Sequence, residues 1–468
     1  MSNYNSNLVV QGTTDSFVPS SFIQNIISVY HKNGLVGEDR NIAKVFLAAI
    51  SKYLPAQYRI HIIVFSQSSA GKTTLLKTVT EPFKEHVHNY SRFTGAGIDR
   101  REESFDGKII LYEQLNGFES SSLKLLLSEG ELTILVADRG ADNRIKSVEK
   151  RLEGMPVFMT TSTAQIDDEL LNRVMPLSMD ESEEQTKAII QKQAENFTII
   201  GSNDSITKWS EIDQIKSCYE KIRPSTIFSI AIPFAKNLVS DLPLPLTIRR
   251  DLKRLFKLVQ IIAYAKHIDA KSDEYQRPII ELSQVKGVSK KVIVALPEDL
   301  HDALWCFGEN LAESFYQVFG RAKEVYSALC EFSKEKTDEG ATVRDITNNL
   351  KGLKQKSVYS YLEMLCNSDL ATKDKAGNKN IYFPTNNEFQ KIDMNATFTP
   401  EDFDKWLTSQ MKDRSYTVTV TNDMFNTFAE VEQSIHSKSL ILDQNNDESK
   451  RFEPNIKESE DTRLLPPL

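Results

Sequence analysis

The chain has 468 residues, of which 40% are hydrophobic and 26% are charged, and its formal net charge is −8 at pH 7. This composition indicates a globular protein of more than one domain. The acidic balance excludes a polycationic coat for nucleic acid, so any DNA contact must come from local basic patches. The four cysteines are widely separated, which argues against a zinc motif or a disulfide framework and favours a reducing compartment.

The start of the chain is polar and lacks the apolar core of a signal peptide. No stretch approaches the ~20 apolar residues that a membrane span requires. We therefore expect a cytoplasmic protein with no membrane partner, associated with the nucleoid, or nuclear if the host is a eukaryote. Residues 1–18 are predicted to be a flexible leader. Residues 19–54 are predicted to form helices that end before Pro55.

Residues 55–200 alternate short apolar runs with helical patterns. This alternation predicts an α/β domain built on a doubly wound parallel sheet. We expect strands in YRIHIIVFS, GKIILYE, ELTILVAD and PVFMTTST, and helix throughout residues 168–197. Residues 201–320 are predicted to form a helical lid and connector, because apolar positions in TIRRDLKRLFKLVQIIAYAKH recur every three or four residues.

The stretch FSQSSAGKTTLL follows the first of these strands and opens a helix. It matches the phosphate-binding pattern G-x-x-x-x-G-K-[ST], except that Ser66 replaces the first glycine. Small residues let backbone N–H groups face a phosphate, while Lys72 supplies a cation and the Thr73 hydroxyl can ligate Mg²⁺. The predicted cofactors are ATP and Mg²⁺; the alternative is an ordinary capped turn. The predicted nucleotide-binding residues are Ser66, Gln67, Ser68, Ser69, Ala70, Gly71, Lys72, Thr73 and Thr74.

A carboxylate ends the next predicted strand, in GKIILYEQLNG. Glu113 is the candidate that polarises the attacking water, because ATP hydrolysis needs a base beside the phosphates. Tyr112 stands where ATPases of this kind usually carry an aspartate that assists the metal. The alternative interpretation is an acidic residue that merely marks the end of a strand.

Residues 321–385 read as three helices followed by a hairpin, which is the order of a winged-helix domain. The third helix starts with Lys354, Lys356, Ser357 and Tyr359, at the end that usually enters the major groove. Lys373, Lys375 and Lys379 lie on the predicted wing. DNA is the predicted partner, with protein contacts as the alternative. Residues 386–468 are predicted to be a C-terminal extension that is partly ordered and whose end is disordered.

The series SQSSAGKTT, IILYEQL, VFMTTST, LLNRVMPL and TIRRDLKRL occurs in the order of an AAA+ module. Over roughly residues 35–385 the chain resembles the minichromosome-maintenance helicases and related ATPases of archaea, plasmids and viruses. The resemblance implies the fold of an AAA+ P-loop NTPase, with a doubly wound parallel sheet, a helical lid and a winged helix.

The resemblance also implies roles for particular residues. Thr161 or Ser162 would be the polar sensor of the γ-phosphate, and Arg173 would be an arginine finger that reaches the ATP of a neighbouring subunit. Arg250, with Arg249 as its rival, would be the second sensor. Such residues imply a homo-oligomeric ring, expected to be a hexamer. Each of these side chains could instead be an ordinary surface group.

Residues 135–154 occupy the place of a hairpin that projects into the ring channel of the resembled family. Arg139, Arg144 and Lys146 lie near its expected tip, where cations would pair with DNA phosphates without reading bases. The alternative is a solvated charged loop.

The function predicted from these features is an ATP-dependent DNA helicase or translocase that acts in replication of a chromosome or mobile element. The alternative is an ATP-dependent initiator, loader or regulator that assembles on DNA without processive unwinding. Tyr112 is the feature that favours this alternative.

Overall fold

The structure is a computed structural model. It describes residues 8–10, 18–66, 71–91, 98, 101, 103–113, 115, 121–139, 145–162, 168–195, 197, 228–240, 248–268, 277–284, 289–316, 321–336, 339–350, 353–377, 379–385, 396–398, 400–411 and 416–421.

The strands are β1 (Leu8–Val10), β2 (Ile62–Phe65), β3 (Val87–Tyr90), β4 (Ile109–Tyr112), β5 (Glu131–Arg139), β6 (Ile145–Glu153), β7 (Val157–Ser162), β8 (Met175–Ser178), β9 (Phe228–Ala231), β10 (Ile279–Gln284), β11 (Ser289–Val294), β12 (Ala371–Ala376), β13 (Lys379–Pro384), β14 (Ala396–Phe398) and β15 (Tyr416–Thr421). The α-helices are α1 (Ser21–Lys32), α2 (Asp39–Ile50), α3 (Lys72–Thr80), α4 (Ser121–Glu129), α5 (Asp168–Leu171), α6 (Glu183–Glu195), α7 (Ala235–Ser240), α8 (Ile248–Ile268), α9 (Pro297–Tyr316), α10 (Ala322–Glu335), α11 (Val343–Asn349), α12 (Gln355–Asn367) and α13 (Pro400–Met411). Short 3₁₀ helices span Ser51–Tyr53, Ala56–Tyr58 and Glu81–His86.

The central sheet has five parallel strands in the order β3-β4-β7-β2-β8. Successive side chains of a strand point to opposite faces, so a sheet covered on both sides needs apolar residues at every position. Val64 and Met159 accordingly join one hydrophobic cluster, and Ile63 and Phe158 join a second cluster on the other face. The predicted α/β fold with a doubly wound parallel sheet is confirmed.

The strands of this region differ from the sequence-based expectation in three places. Val87–Tyr90 and Met175–Ser178 are strands of the sheet that the sequence patterns did not indicate. The second of these strands lies inside residues 168–197, which were predicted to be helical. Pro176 disfavours a helix there, because proline has no N–H to donate to a helical hydrogen bond. Glu131–Arg139 is a strand but not of the central sheet, since it pairs only with Ile145–Glu153 in a long antiparallel hairpin.

Residues 201–320, predicted to form a helical lid and connector, contain strands that the sequence patterns did not indicate, besides two long helices. Helices α8 and α9 pack together beside a four-stranded sheet of order β15-β10-β11-β9. Strand β15 comes from the predicted C-terminal extension and pairs along its whole length with β10. At the other end of the chain, Leu8–Val10 in the predicted leader pairs with Ala396–Phe398.

A buried ionic network fixes the N-terminal helices to the lid. Lys266 Nζ lies 2.8 Å from Asp302 Oδ2, and Arg277 Nη2 lies 2.8 Å from Asp299 Oδ1. Burial by itself would raise the pKa of Asp299, but the charges of Arg277 and Lys266 hold it below its usual value. Ser20, the residue before α1, donates its backbone N–H and its hydroxyl to Asp302. The Ser20 side chain therefore binds the lid and does not cap α1.

Residues 321–385 form a third unit with its own hydrophobic cluster. Helices α10, α11 and α12 precede the antiparallel hairpin of β12 and β13, and Ala341 bridges to Tyr382 beside it. Thr342 and Asp345 form a capping box at the start of α11, each side chain accepting from the other's backbone N–H. The elements thus occur in the predicted order. No helix in the described part of the chain is long and apolar enough to cross a membrane.

Candidate nucleotide-binding site

The predicted phosphate loop lies between β2 and α3, at the carboxyl edge of the central sheet. Gly71, immediately before α3, has φ +83°, which other residues rarely adopt. A Cβ added there would meet only Met179 Cε, at 4.0 Å, so the glycine is required for its backbone angle rather than for space. The N–H groups of the first turn of α3 and the positive end of its helix dipole lie at this edge of the sheet. Gln67, Ser68, Ser69 and Ala70 lie outside the described residues.

Lys72 is largely buried, and its Nζ donates to the backbone oxygen of Ser66 at 2.8 Å. The side chain therefore folds back across the loop. Burial lowers the pKa of Lys72, and the nearby charge of Glu181 partly opposes this effect. A phosphate in the loop would compensate the buried cation more fully. Thr73 and Thr74 follow in the first turn of α3, and both are exposed.

Glu113 lies directly after β4, beside α3. Its Oε1 is 3.5 Å from Nζ of Lys77 on α3, and both side chains are about half exposed, at 49% and 54%. The carboxylate is thus accessible to water at the carboxyl edge. Tyr112 points the other way, into the second hydrophobic cluster, and stacks on Phe158.

The two candidate sensors, Thr161 and Ser162, end β7 between β4 and β2. The Thr161 hydroxyl donates to the backbone oxygen of Glu113, and the Ser162 hydroxyl donates to that of Leu115 at 3.3 Å. Both side chains are buried. They join the carboxylate strand to the neighbouring strand, and their predicted contact with a γ-phosphate stays a prediction.

The loop before α2 reaches the same edge of the sheet, which the sequence patterns did not indicate. Gln185 Nε2 donates to the backbone oxygen of Val36 at 2.6 Å, and the backbone N–H of Asp180 donates to Glu38 at 2.8 Å. Residues 179–185 thus contact Gly71 through Met179 at one end and the loop before α2 through Gln185 at the other. These contacts join segments that are distant in sequence, so local patterns could not indicate them.

A second cluster lies at the opposite, amino edge of the sheet. It lines a cavity of about 390 Å³ beside the residues that precede β2. Its cationic lining residues are Arg59, Arg173, Arg250, Lys253, Arg254 and Lys257. Burial lowers the pKa of Lys257 to about 8 and that of Arg254 to about 10. Spacings of three and four along α8 place four of these cations on one helix face, so the sequence carried this signal.

Arg173 and Arg250 are therefore brought together, on the side of the sheet away from the phosphate loop. Arg173 donates to the Ser128 hydroxyl and to the backbone oxygen of Glu169. Arg250 donates to Asn172 Oδ1 at 2.7 Å. Its rival Arg249 is exposed and does not line the cavity.

His61 forms the neutral floor of this cavity. The Phe158 N–H donates to His61 Nδ1 at 3.2 Å, so the ring hydrogen is on Nε2 and faces the Leu127 oxygen at 3.1 Å. Burial, reinforced by the charge of Lys257, lowers the pKa of His61 to about 3. The cations of the cavity thus surround an uncharged ring.

The candidate DNA contacts lie on two separate units. Arg139 and Lys146 are in the strands of the long hairpin, close to its tip, and Arg144 lies outside the described residues. In the third unit Lys354, Lys356 and Lys375 are exposed. Lys373 instead lies 2.7 Å from Glu363 Oε1. The DNA-binding role of all these residues stays a prediction.

Comparison with known proteins gives weak likenesses only. No protein-family model matches the chain, and no curated protein matches it. A full-length MCM homolog from Methanopyrus kandleri is 13% identical with a TM-score of 0.32, covering 64% of this chain and 59% of that protein. The Thermotoga maritima RuvB Holliday junction branch migration motor is 13% identical with a TM-score of 0.23, covering 75% of this chain and 93% of RuvB.

The C-terminal region of NrS-1 is also 13% identical, with a TM-score of 0.22, covering 60% of this chain and 78% of that region. The chain thus spans less than two thirds of the MCM homolog. These values are too low to transfer an activity. The strand order and the hydrophobic clusters on both faces of the sheet show a doubly wound α/β fold with a central parallel sheet.

Proposed function

We propose that the protein is an ATP-dependent DNA helicase or translocase, an AAA+ motor similar to the minichromosome-maintenance helicases, that acts in replication of a chromosome or mobile element. One observation carries the proposal. Lys72 and Glu113 lie at the carboxyl edge of the sheet, whereas Arg173 and Arg250 lie together at its amino edge. A nucleotide bound to Lys72 would receive these arginines from a neighbouring copy, which supports a ring.

The nucleotide would be held by residues 66–74, with the Lys72 amine turning from the Ser66 carbonyl to the phosphates. Thr73 would ligate Mg²⁺, which supplies charge neutralisation of the phosphate oxygens when bound. Glu113 would orient the attacking water. A tyrosine stands at position 112, so β4 supplies no carboxylate to the metal besides Glu113 after it. The Tyr112 side chain is buried against Phe158.

DNA would be contacted by the long hairpin, through Arg139, Arg144 and Lys146, and by the third unit acting as a winged helix, through Lys354, Lys356 and Lys375. Lysine and arginine bind phosphates regardless of sequence, which suits a motor that moves along DNA. Rotation of subunits as γ-phosphate contacts form and break would drive the movement.

The direct test is the variant Lys72→Ala, with Lys84→Ala as the control because Lys84 is an exposed lysine in the 3₁₀ helix that follows α3. We expect Lys72→Ala to reduce ATP turnover by about a hundredfold or more, the effect of removing one preorganised charge from a site of phosphoryl transfer. Circular dichroism should be unchanged. Normal hydrolysis by Lys72→Ala would refute the assignment of the loop.

A second candidate function is an initiator, loader or regulator that uses ATP to assemble on DNA without processive unwinding. Tyr112 favours it, because the site lacks the usual metal-assisting carboxylate and slow turnover would suit a switch. A strand-displacement assay separates the two functions. Unwinding supports the motor, whereas ATP-dependent assembly on duplex DNA without unwinding supports the switch.

A further inference from the structure

One predicted phosphate contact in the third unit is already occupied by a partner. Lys373, on β12, lies 2.7 Å from Oε1 of Glu363 on α12. Its amine also lies 5.6 Å from the centroid of the Tyr359 ring. The wing is therefore held to the recognition helix by a cation that contacts two of its side chains.

The carboxylate in this pair is itself fixed from below. Tyr382, fully buried in the core of the unit, donates its hydroxyl to the same Glu363 oxygen at 2.9 Å. Lys373 and Glu363 are only 32% and 34% exposed. The hydrogen bond from Lys373 lowers the pKa of Glu363, and the same bond raises that of Lys373. Both groups are thus charged at neutral pH, and together they present no net charge to a polyanion.

The neighbouring lysines differ from Lys373 in their partners. Lys356, Lys373 and Lys375 are all exposed, but within the part of the chain that the structure describes neither Lys356 nor Lys375 has an ion pair. A lysine that neutralises a DNA phosphate releases a bound counterion, whereas a lysine that is already neutralised by a carboxylate does not. The two classes of lysine should therefore respond differently to salt.

We propose that Lys373 is a positioning residue that fixes the wing on the recognition helix, and that Glu363 suppresses one phosphate contact which the wing would otherwise make. The inference rests on the proposed DNA-binding role of this unit. Glu363 thereby limits the affinity of the unit for DNA without contacting a base.

The test uses the full chain and a duplex DNA of fixed length, with the affinity measured across a range of salt concentrations. The slope of log affinity against log salt is negative. Lys375→Gln should make it less negative by about 0.9, the value for one lost phosphate contact. Lys373→Gln should leave the slope unchanged. Glu363→Gln should make the slope more negative by about 0.9, because Lys373 becomes free to bind phosphate.

Two double variants make the test specific. The steeper salt dependence caused by Glu363→Gln should disappear in the Lys373→Gln background and persist in the Lys375→Gln background. If Lys373→Gln makes the salt dependence as shallow as Lys375→Gln does, the proposal is overturned. An unchanged slope in Glu363→Gln would also overturn it.

A measurement without DNA separates this inference from the function on which it rests. Amine acetylation followed by mass spectrometry should modify Lys373 more slowly than Lys375, and Glu363→Gln should equalise the two rates. Equal acetylation rates of Lys373 and Lys375 in the unsubstituted protein would contradict the ion pair between Lys373 and Glu363. Slow labelling of Lys373, together with DNA affinity that no lysine variant alters, would instead reject DNA binding by this unit, and the proposed role of Glu363 with it.

Discussion

The two edges of the central sheet differ in charge and exposure. At the carboxyl edge, Lys72 is buried and donates to the Ser66 carbonyl, while the Glu113 carboxylate is about half exposed. At the amino edge, six cations line a cavity beside a neutral histidine. The strand β2 separates the two clusters, so the cations of the second edge do not reach the loop of the first within one chain.

Under the proposed function, the groups that would bind nucleotide lie within one chain, whereas Arg173 and Arg250 would act on the nucleotide of a neighbouring chain. Activity would then depend on assembly. We therefore expect that a subunit with a substitution at its amino edge can be complemented by a neighbour whose amino edge is intact. A subunit with a substitution at its carboxyl edge should stay inactive at its own site.

The largest expected effect comes from Arg173→Ala, which should reduce ATP turnover by about a thousandfold, as expected for loss of an arginine finger. Glu113→Gln should also be inactive alone. In a mixture of the two variants, an Arg173→Ala subunit keeps its Glu113 and can receive Arg173 from its neighbour. We therefore expect partial recovery of turnover in the mixture, measured by phosphate release. A mixture as inactive as its components would contradict action between subunits.

A smaller effect distinguishes two adjacent arginines. Arg250 lines the cavity and Arg249 does not. Arg250→Ala should reduce turnover by about tenfold, because a charge-assisted contact contributes about 1.5 kcal/mol or more. Arg249→Ala serves as the matched control and should retain turnover within about twofold. Equal losses of ATP turnover in Arg249→Ala and Arg250→Ala would contradict a role for the cavity in hydrolysis.

The smallest effect concerns stability at the amino edge. The pKa of His61 is about 3 in the folded protein, so the unfolded chain takes up a proton first as the pH falls below about 6.5. The His61 contribution should therefore lower the free energy of unfolding by about 1 kcal/mol between pH 6.5 and pH 5.5. Urea unfolding of the unsubstituted protein and His61→Asn at both pH values measures it.

Between pH 6.5 and pH 5.5, the free energy of unfolding of His61→Asn should fall by about 1 kcal/mol less than that of the unsubstituted protein. Should His61→Asn fail to fold, the imidazole signals of the unsubstituted protein can be followed by NMR instead. A His61 ring that titrates near pH 6.5 would contradict the buried neutral ring.

Local patterns indicated the elements of residues 321–385 but not the sheet of the lid. The three helices and the hairpin of residues 321–385 depend on neighbours in sequence, so periodicity and residue type were sufficient to place them. The roles of Lys72 and Glu113 stay predictions. The lid sheet joins Ile279–Gln284 to Tyr416–Thr421 across the entire third unit, and no local pattern specifies that pairing. Helical periodicity in residues 248–268 dominated the prediction and concealed the short strands.

The partners of individual side chains were least predictable. Lys373 and Lys375 are two residues apart and chemically identical, yet only Lys373 meets a carboxylate, because the fold brings α12 beneath β12. Likewise, Arg249 and Arg250 differ only in the helix face on which they lie. Sequence alone gives the type of charge, and the packing decides whether that charge is available.

The third unit is inserted within the lid rather than appended to it. The chain enters it from α9, whose Leu311 and Ala312 are fully buried, and returns to β14, α13 and β15, which complete the lid. Only residues 317–320 separate α9 from the unit, and at about 3.5 Å per residue they span at most about 14 Å. A domain on a single terminal linker can sample a wide sphere, but this one is restrained at both its entrance and its exit. Any pull on the unit is therefore transmitted to the lid through two separate attachments.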